Sequence, residues 1–149
     1  MPDPLPGNTP QLRCLVLEDS AHDQELIRRA MRGARLNAEI DFVSTIRTAR
    51  EALSSGHGRY SAILCDNSLP DGSGSEFAGE LAGSPDLADV PIVIVSGWPS
   101  PFMWDKARAA GLCVIDKTDD PMRKLRDFFR ESVGDLVTRR IAGPARRTA

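Results

Sequence analysis

The stretch "SAILCDNSLPDGSG", residues 61–74, joins a short apolar run to a crowded turn. The run from Ser61 to Cys65 has the length and composition of a buried strand, and it ends against Asp66. Residues 67–74 are almost all Asn, Ser, Pro, Asp or Gly, which favour turns. Two interpretations of Asp66 follow: it is a turn former, or it is a carboxylate held at the tip of a strand for chemistry.

Four more apolar runs lie on either side of this stretch, at Leu12–Leu17, Ala38–Val43, Pro91–Val95 and Leu112–Ile115. Their continuous segments are typical of strands buried on both faces of a parallel sheet. Segments with helical periodicity separate the runs. Strand and helix alternate five times, which predicts an α/β sandwich with a parallel sheet and right-handed crossovers.

The helical segments carry recognisable start and stop signals. Ser20 can cap the first helix, Asp23 suits its first turn, and Gly33 can end it. Ser100-Pro101 and Asp120-Pro121 are good starts for the fourth and fifth helices. The apolar stripes that define the five helices contain Leu26, Ile27, Ala30 and Met31; Ile46, Ala49, Ala52 and Leu53, closed by Gly56; Phe77 and Leu81; Phe102, Met103, Ala107 and Ala110; and Met122, Leu125, Phe129 and Val133.

Composition narrows the class of protein. The chain has 149 residues, 41% hydrophobic, with a formal net charge of -2, so no global field favours nucleic acid. It shows no signal peptide and no run of membrane-spanning length. The three cysteines, Cys14, Cys65 and Cys113, have no disulfide or zinc spacing and are interpreted as buried reduced thiols of a cytoplasmic protein.

Polar residues stand where each predicted strand ends. Strand one is followed by Glu18-Asp19, strand three by Asp66, strand four by Ser96-Gly97, and strand five by Asp116-Lys117. Each is unremarkable alone, as a turn former, a helix-start acid, a loop or a solvated lysine. In a parallel sheet these ends share one edge, where ligand sites form. The joint pattern predicts a site there.

The chemistry of such a cluster is specific. Carboxylates crowded together repel one another, and a hard divalent cation such as Mg²⁺ relieves the repulsion. A carboxylate can also be a nucleophile that accepts a phosphoryl group. The cation, the ammonium of Lys117 and the hydroxyl of Ser96 would then stabilise the charge on the phosphoryl oxygens.

The residues from Leu12 to Val133 resemble a response-regulator receiver domain of two-component signalling. The acidic pair Glu18-Asp19, Asp66, Ser96 and Lys117 match that family's five functional positions in order, and Pro70 and Gly74 match its loop after the acceptor. The resemblance implies a CheY-like (flavodoxin-like), doubly wound sheet of five parallel strands in the order 2-1-3-4-5, with five helices on two faces.

The resemblance also implies roles. Asp66 would accept phosphate from a sensor histidine kinase or a histidine phosphotransfer protein. Asp19, Asp66 and the backbone carbonyl of Ser68 would bind Mg²⁺ (or Mn²⁺) directly, with Glu18 acting through water. Ser96 and Lys117 would hold the phosphoryl group. Phosphorylation would shift the surface built from helix 4, strand 5 and helix 5, and so control an unknown downstream protein.

Three positions depart from the family pattern. Val114 stands where an aromatic switch residue is usual, which puts the hydroxyl-to-aromatic coupling in doubt. Thr118 follows the lysine in place of proline, and the segment from Gly111 to Lys117 is about one residue short. Trp98, two residues after Ser96, has two interpretations: a gate that slows attack of water on the acyl phosphate, or an aromatic packed on its loop.

The expected organisation is an irregular lead-in over residues 1–11, a receiver domain over 12–134 and a helical extension with a basic tail over 135–149. The chain is then a stand-alone receiver or a fragment of a longer protein. The tail continues an apolar stripe through Leu136, Val137 and Ile141. It would pack back on the domain or be buried in a target contact or homodimer; the surface of helix 4, strand 5 and helix 5 is a second route to a homodimer.

Two rival functions stay open. One is a pseudo-receiver, a phosphate-independent interaction module, which the residues at Val114 and Thr118 favour. The other is a Mg²⁺-dependent phosphohydrolase, but such enzymes carry a second acid two residues after the nucleophile, where this chain has Ser68. The preferred interpretation is a signalling domain that transfers phosphate only to itself, with neither nucleic acid nor a membrane as partner.

Overall fold

Five parallel strands form the central sheet. The structure is a computed structural model that describes residues 12–55 and 60–133. We label the strands of this sheet in chain order as β1 (Leu12–Leu17), β2 (Ala38–Val43), β3 (Ala62–Asp66), β4 (Ile92–Ser96) and β5 (Cys113–Asp116). They lie in the order β2-β1-β3-β4-β5, and every neighbouring pair is parallel. The predicted sheet order is confirmed.

Helices follow the strands and cover both faces of the sheet. They are α1 (Ala21–Gly33), α2 (Ile46–Ser54), α3 (Gly74–Ala82), α4 (Pro101–Ala109) and α5 (Pro121–Phe128). A 3₁₀ turn (Pro85–Leu87) precedes β4, and a π-helical segment (Phe129–Val133) continues α5. The five predicted helices are confirmed, and the whole arrangement is the doubly wound fold that was expected.

Two hydrophobic clusters hold the helices to the sheet, one on each face. The first packs α1, α5 and the π-helical segment on the sheet through residues that include Ile27, Met31, Leu125 and Phe129. The second packs α2, α3 and α4 on the opposite face through residues that include Ala49, Phe77, Leu81 and Ala107. Successive residues of the central strands enter opposite clusters, as the alternation of strand side chains requires. This explains why the strand sequences are apolar without interruption.

Side-chain caps start four of the helices at the residues that precede them. Ser20, Thr45, Ser73 and Ser100 each accept a hydrogen bond from the backbone N–H three residues further on. The predicted caps at Ser20 and Ser100 are confirmed, and so is the end of α1 at Gly33. Because all four helices begin at the carboxyl edge of the sheet, their caps fix the loops that surround this edge.

Three strands begin and end one residue later than the apolar runs predict. The cause is the backbone ladder, which continues past the last apolar residue: Asp66 pairs with Val95, and Ser96 pairs with Asp116. Asp66 and Ser96 are therefore the last residues of their strands rather than the first residues of the following loops. Strand pairing restricts the backbone of both polar residues.

Three predicted burials are wrong. Cys113 is exposed, whereas Cys14 and Cys65 are buried. It begins the edge strand β5, so only one neighbouring strand protects it. On α4, Phe102 is 73% exposed and Ala110 is exposed beyond the end of the helix. The helix packs through Met103 and Ala107 instead, which leaves the Phe102 side of its stripe facing outward.

Several predictions concern residues outside the described part of the chain. They are the lead-in over residues 1–11, the helix stop at Gly56, and the extension and tail over 135–149 with their proposed packing or dimer contact. These stay predictions. Among the described helices, none has the length and apolar character needed to cross a bilayer.

Candidate functional site

The carboxyl edge of the sheet gathers the predicted site residues. Asp66 ends β3 and Ser96 ends β4, while Glu18 and Lys117 directly follow β1 and β5. The backbone ladder continues through this edge. The Glu18 N–H donates to the Val43 carbonyl at 2.9 Å, and the Lys117 N–H donates to the Ser96 carbonyl at 2.8 Å. The residues after the strands are thus held nearly as firmly as the strands themselves.

Three carboxylates converge at the centre of this edge. One oxygen from each of Glu18, Asp19 and Asp66 lies within 4.8 Å of the other two. Glu18 is only 2% exposed and Asp66 9%, whereas Asp19 is exposed. Oxygen ligands of this kind, partly buried and open on one side, fit a hard divalent cation that keeps several waters. The predicted metal residues are therefore brought together.

Lys117 neutralises part of this negative charge. Its Nζ donates to Oε1 of Glu18 at 3.1 Å and to Oδ1 of Asp66 at 3.1 Å. It also donates to Oδ2 of Asp23 at 2.8 Å, in the shortest contact of the three. The ammonium is 18% exposed at its side chain. Lys117 is thus the cationic centre of the site, as its place after the last strand predicted.

Burial and charge shift the acid–base behaviour of these groups. Burial raises the pKa of Asp66 above its usual range, although the Lys117 ammonium opposes the shift. Burial likewise raises the pKa of Glu18, and the nearby charge of Asp66 adds to this effect. For Lys117 burial acts to lower the pKa, but the carboxylates of Asp23, Glu18 and Asp66 outweigh it and the net shift is upward. The site therefore favours the charged form of Lys117 and disfavours the ionised forms of Glu18 and Asp66.

Asp23 is a site residue that sequence reasoning missed. Its position in the first turn of α1 had a sufficient explanation, since an acid there complements the helix dipole. A signal was nonetheless present, because a helix that follows a strand begins at the carboxyl edge of the sheet. Any charged side chain in its first turn is therefore close to the site.

The end of β1 and the start of α1 are joined by polar contacts. Oε2 of Glu18 accepts from the Ser20 N–H at 3.1 Å, while its Oε1 accepts from Lys117. The Gln24 side chain donates to the Glu18 carbonyl at 2.8 Å. Both carboxylate oxygens of Glu18 therefore have a donor from the protein itself, which makes Glu18 the most fixed of the acids.

The loop after Asp66 is tightly folded. Ser68–Leu69 and Gly72–Ser73 pair as a two-residue antiparallel hairpin, which the sequence did not predict. The Gly74 N–H donates to the Asn67 carbonyl at 2.8 Å, and a Cβ at Gly74 would lie 1.8 Å from the Asp66 carbonyl oxygen. Only glycine fits at this position. The direct use of the Ser68 carbonyl as a metal ligand stays a prediction.

Asp71 joins the tip of this hairpin to the start of α2 through hydrogen bonds. Its carboxylate accepts from the Ile46 N–H at 2.8 Å and from the Arg47 N–H at 3.0 Å, at the start of the helix. The Ile46 hydrogen bond is the largest cause that lowers the pKa of Asp71. The loop that follows Asp66 is thus attached at both its base and its tip.

Ser96 and Trp98 lie at the start of the loop from β4 to α4. The Ser96 side chain is buried, and its hydroxyl accepts from the Trp98 N–H at 3.2 Å. The Trp98 side chain is 89% exposed. The interpretation of Trp98 as an aromatic packed on its loop is therefore wrong, and its role as a gate stays a prediction.

Val114 lies at the predicted switch position in the middle of β5. It pairs with Ile94 and packs, half-buried, against the cluster that also contacts Met103 and Leu112. A valine has no hydroxyl or ring that could follow a movement of Ser96. The predicted switch position thus holds an aliphatic contact in the described part of the chain.

Comparisons with known proteins agree with this geometry. No family model matches the chain. The methanogenesis regulatory protein FilR1 of Methanothrix harundinacea (strain 6Ac) is 26% identical over 132 residues, which are 87% of this chain and 29% of that protein. The two-component response regulator ORR12 of Oryza sativa subsp. japonica is 32% identical over 82 residues, which are 55% of this chain and 65% of that protein. The chain thus spans less than two thirds of either relative.

Solved structures match the fold over most of the chain. The phosphorylated cyanobacterial phytochrome response regulator RcpA has a TM-score of 0.75 and 20% identity, and covers 85% of this chain and 96% of its own. The Mn²⁺-bound response regulator Rcp1 has a TM-score of 0.72 and 20% identity, and the match covers 80% of this chain and 92% of Rcp1. The chemotaxis response regulator CheY4 of Vibrio cholerae has a TM-score of 0.67 and 18% identity, and the match covers 83% of this chain and 99% of CheY4.

The order of the five strands is that of CheY-like response-regulator receiver domains, to which the chain is similar in fold, and the chain is also similar in sequence to a two-component response regulator. Its acidic pocket of Glu18, Asp19 and Asp66 fits the phosphoacceptor site of such domains. The pocket also fits a divalent cation, because its donors are carboxylate oxygens on one open edge.

Proposed function

We propose that Asp66 accepts a phosphoryl group and that this modification controls a partner protein. The observation that supports the proposal most directly is the Asp66 carboxylate, buried at the end of β3, within 3.1 Å of Lys117 and close to two further acids. A turn-forming aspartate has no need of burial or of a buried ammonium. Since the chain spans only part of its curated relatives, the proposal concerns the domain.

The proposed donor is a phosphohistidine of a sensor kinase or a phosphotransfer protein. An oxygen of Asp66 attacks the phosphorus, and a new O–P bond forms while the P–N bond breaks. The electron pair of that bond returns to the imidazole nitrogen, which takes up a proton from solvent. The product on Asp66 is an acyl phosphate, which water later hydrolyses.

Three residues of the chain would support this transfer. Lys117 would donate to a phosphoryl oxygen from the position that it holds beside Asp66. The Ser96 hydroxyl, which accepts from the Trp98 N–H, keeps its own O–H for donation to the same group. Asp19 on the open side and Asp66 would hold Mg²⁺ with the Ser68 carbonyl, and Glu18 would act through water. The ion, when bound, would neutralise charge on the phosphoryl oxygens.

The proposed output is a change in the surface formed by α4, β5 and α5. Phosphorylation would bias an equilibrium between two arrangements of that surface, which a downstream protein distinguishes. Because Val114 replaces the usual aromatic residue, the change would pass through the Ser96–Trp98 loop and the hydrophobic cluster against which both Val114 and Met103 pack. The same surface is our proposed route to a homodimer.

Intact-mass measurement after incubation with acetyl phosphate and Mg²⁺ tests the proposal. We expect the wild-type chain to gain the mass of one phosphoryl group and Asp66→Asn to gain none. Lys117→Ala should be phosphorylated at least about a hundredfold more slowly, the usual cost of removing one group that stabilises developing charge. No gain of mass in the wild type would favour the pseudo-receiver, and an equal gain in Asp66→Asn would move the acceptor to another residue.

A further inference from the structure

The ammonium of Lys117 has one carboxylate for each of its three N–H bonds. It contacts Glu18 at 3.1 Å, Asp66 at 3.1 Å and Asp23 at 2.8 Å. A lysine ammonium has three donors and no acceptor, so these three bonds can use all of its hydrogen-bonding capacity. Two of the partners belong to the predicted site, whereas Asp23 belongs to a helix on the surface.

Asp23 is held in place by the start of α1. Its backbone N–H donates to the Ser20 hydroxyl at 3.3 Å, which is the cap of the helix. The neighbouring Gln24 side chain donates to the Glu18 carbonyl at 2.8 Å and fixes the same turn to the end of β1. The Asp23 side chain is 22% exposed. Its contact with Lys117 therefore joins two elements that are each fixed independently.

The three bonds to Lys117 would not be equivalent during phosphoryl transfer. When Asp66 becomes an acyl phosphate, its carboxylate charge is lost and its bond to the ammonium weakens. The released N–H is then available to a phosphoryl oxygen. Glu18 and Asp23 take no part in the new covalent bond and can keep the other two N–H groups in place.

We propose that Asp23 is a positioning residue that holds the Lys117 ammonium against the group transferred to Asp66. This inference rests on the proposed function of Asp66. Without Asp23, one N–H would turn to solvent, and Glu18 would be the one carboxylate that still anchors the flexible lysine side chain once Asp66 is phosphorylated. Positioning of this kind is a recognised part of rate enhancement in phosphoryl transfer.

Asp23 could also have the opposite effect on the rate of transfer. The Lys117 ammonium lies between Asp23 and Asp66, so the negative charge of Asp23 is near the incoming phosphoryl group and would repel it. That repulsion is small because the Asp23 charge is paired at 2.8 Å with Lys117, and because both side chains are partly open to solvent, which screens it. The two effects predict opposite changes in rate, so the sign of the change decides between them.

The rate of phosphorylation by acetyl phosphate with Mg²⁺ should fall about tenfold in Asp23→Ala, the scale of one charge-assisted hydrogen bond. Asp23→Asn, which keeps an oxygen acceptor for the charged ammonium but loses the negative charge, should lose less, roughly threefold. Asp86→Ala is the matched control, because it removes an exposed acid from the 3₁₀ turn at the opposite edge of the sheet. It should leave the rate unchanged.

A second readout is independent of phosphorylation. The chain has three lysines, Lys106, Lys117 and Lys124, so their ammonium signals in a ¹H–¹⁵N spectrum can be assigned by substitution with arginine. The Lys117 signal should be protected from solvent exchange in the wild type and in Asp23→Asn, and lost in Asp23→Ala. A general loss of folding would change all amide signals as well, and the amide spectrum therefore separates misfolding from release of Lys117.

Two failures of the experiment have different meanings. If the wild type is phosphorylated and Asp23→Ala reacts as fast or faster, the positioning role is overturned while the proposed function stands. If the wild type takes up no phosphoryl group, the proposed function fails and the role of Asp23 fails with it. A protected Lys117 signal in Asp23→Ala would also contradict the inference, whatever the rate.

Discussion

The two sides of the site differ in how firmly the protein holds them. We call Glu18, Asp19 and Asp66, at β1 and β3, the acidic side, and Ser96, Trp98 and Val114, at β4 and β5, the switch side. Two of the acids are buried and have donors in the protein, whereas Trp98 is 89% exposed. Two of the three acids on the acidic side are thus held in one geometry, whereas on the switch side Trp98 presents a side chain that a partner can reach.

The contrast extends to the neighbouring helices. α1 begins with contacts to Glu18 and Lys117, and its buried face packs on α5. α4 buries Ala107 but leaves Phe102 73% exposed and Trp104 36% exposed. Exposed aromatic residues near the switch side make that part of the surface suited to contact with another protein. The comparison predicts that substitutions on the acidic side are severe and that those at Trp98 and Val114 are mild.

The largest effect on stability should come from Gly74→Ala. Its new Cβ would lie 1.8 Å from the Asp66 carbonyl oxygen, and this backbone cannot move without displacing the acceptor. We expect a loss of about 3 kcal/mol in the free energy of unfolding, measured in urea. Gly79→Ala, in the same helix with no atom within 4 Å, is the matched control and should be neutral or stabilising by up to about 1 kcal/mol. Equal effects at both positions would show that the close approach of residue 74 to the Asp66 carbonyl does not limit stability.

The next effect concerns pH and the metal-free protein. Burial raises the pKa of Glu18 and Asp66, so the folded state binds protons at a pH where the unfolded state has released them. From these two groups, stability therefore decreases as pH rises from the ordinary carboxylate range, about 4, to the raised values. We expect Asp66→Asn to unfold at higher urea concentration than the wild type at pH 7 and to lose this advantage on acidification.

Mg²⁺ provides the complementary test of the same groups. Because metal binding requires ionised carboxylates, added Mg²⁺ should stabilise the wild type at pH 7 and progressively less as the acids are protonated. The loss should begin above the pH at which exposed carboxylates titrate. A constant effect of Mg²⁺ down to pH 4, or an equal effect on Asp66→Asn, would show that the ion binds elsewhere.

A smaller effect is expected at Val114. Val114→Ala removes two methyl groups from a half-buried position and should cost about 1 kcal/mol of stability. The phosphorylation rate should change less than about twofold. A tenfold change would require about 1.36 kcal/mol of activation free energy, and Val114 does not contact the reacting groups. A tenfold change in rate would show that Val114 affects phosphoryl transfer itself and would contradict the difference between the acidic side and the switch side.

The smallest effect belongs to Trp98. Trp98→Ala should accelerate loss of phosphate from Asp66 by roughly twofold, the scale of one exposed contact. Phe102→Ala, which removes another exposed aromatic residue further along α4, is the control and should leave the lifetime of the acyl phosphate unchanged. An unchanged lifetime in Trp98→Ala would end its interpretation as a gate.

Much of the fold could be predicted because the relevant signals are local. Uninterrupted apolar runs such as Ile92 to Val95 indicate a strand that is buried on both faces of a sheet. Ser20 and Ser100 indicate where two helices begin. The five site residues follow from the rule that parallel strands end at one edge. Glu18, Asp66, Ser96 and Lys117 are accordingly where the sequence puts them.

The remainder depends on tertiary contacts that a local pattern does not contain. Asp23 looks like any acid in a first turn until the packing of α1 brings it to Lys117. Asp71 looks like a turn residue until the hairpin reaches the start of α2. Cys113 and Phe102 belong to apolar segments, but their exposure follows from the edge position of β5 and the rotation of α4.

Chemical mapping of the modified residue tests the central claim most directly. The wild type would be incubated with acetyl phosphate and Mg²⁺, treated with borohydride, which reduces an acyl phosphate to an alcohol, and digested for peptide mass analysis. We predict that Asp66 alone is converted, to homoserine, while Glu18, Asp19 and Asp23 in the same cluster stay carboxylates. Conversion of any of those three in place of Asp66, or of none of the four, would contradict the account.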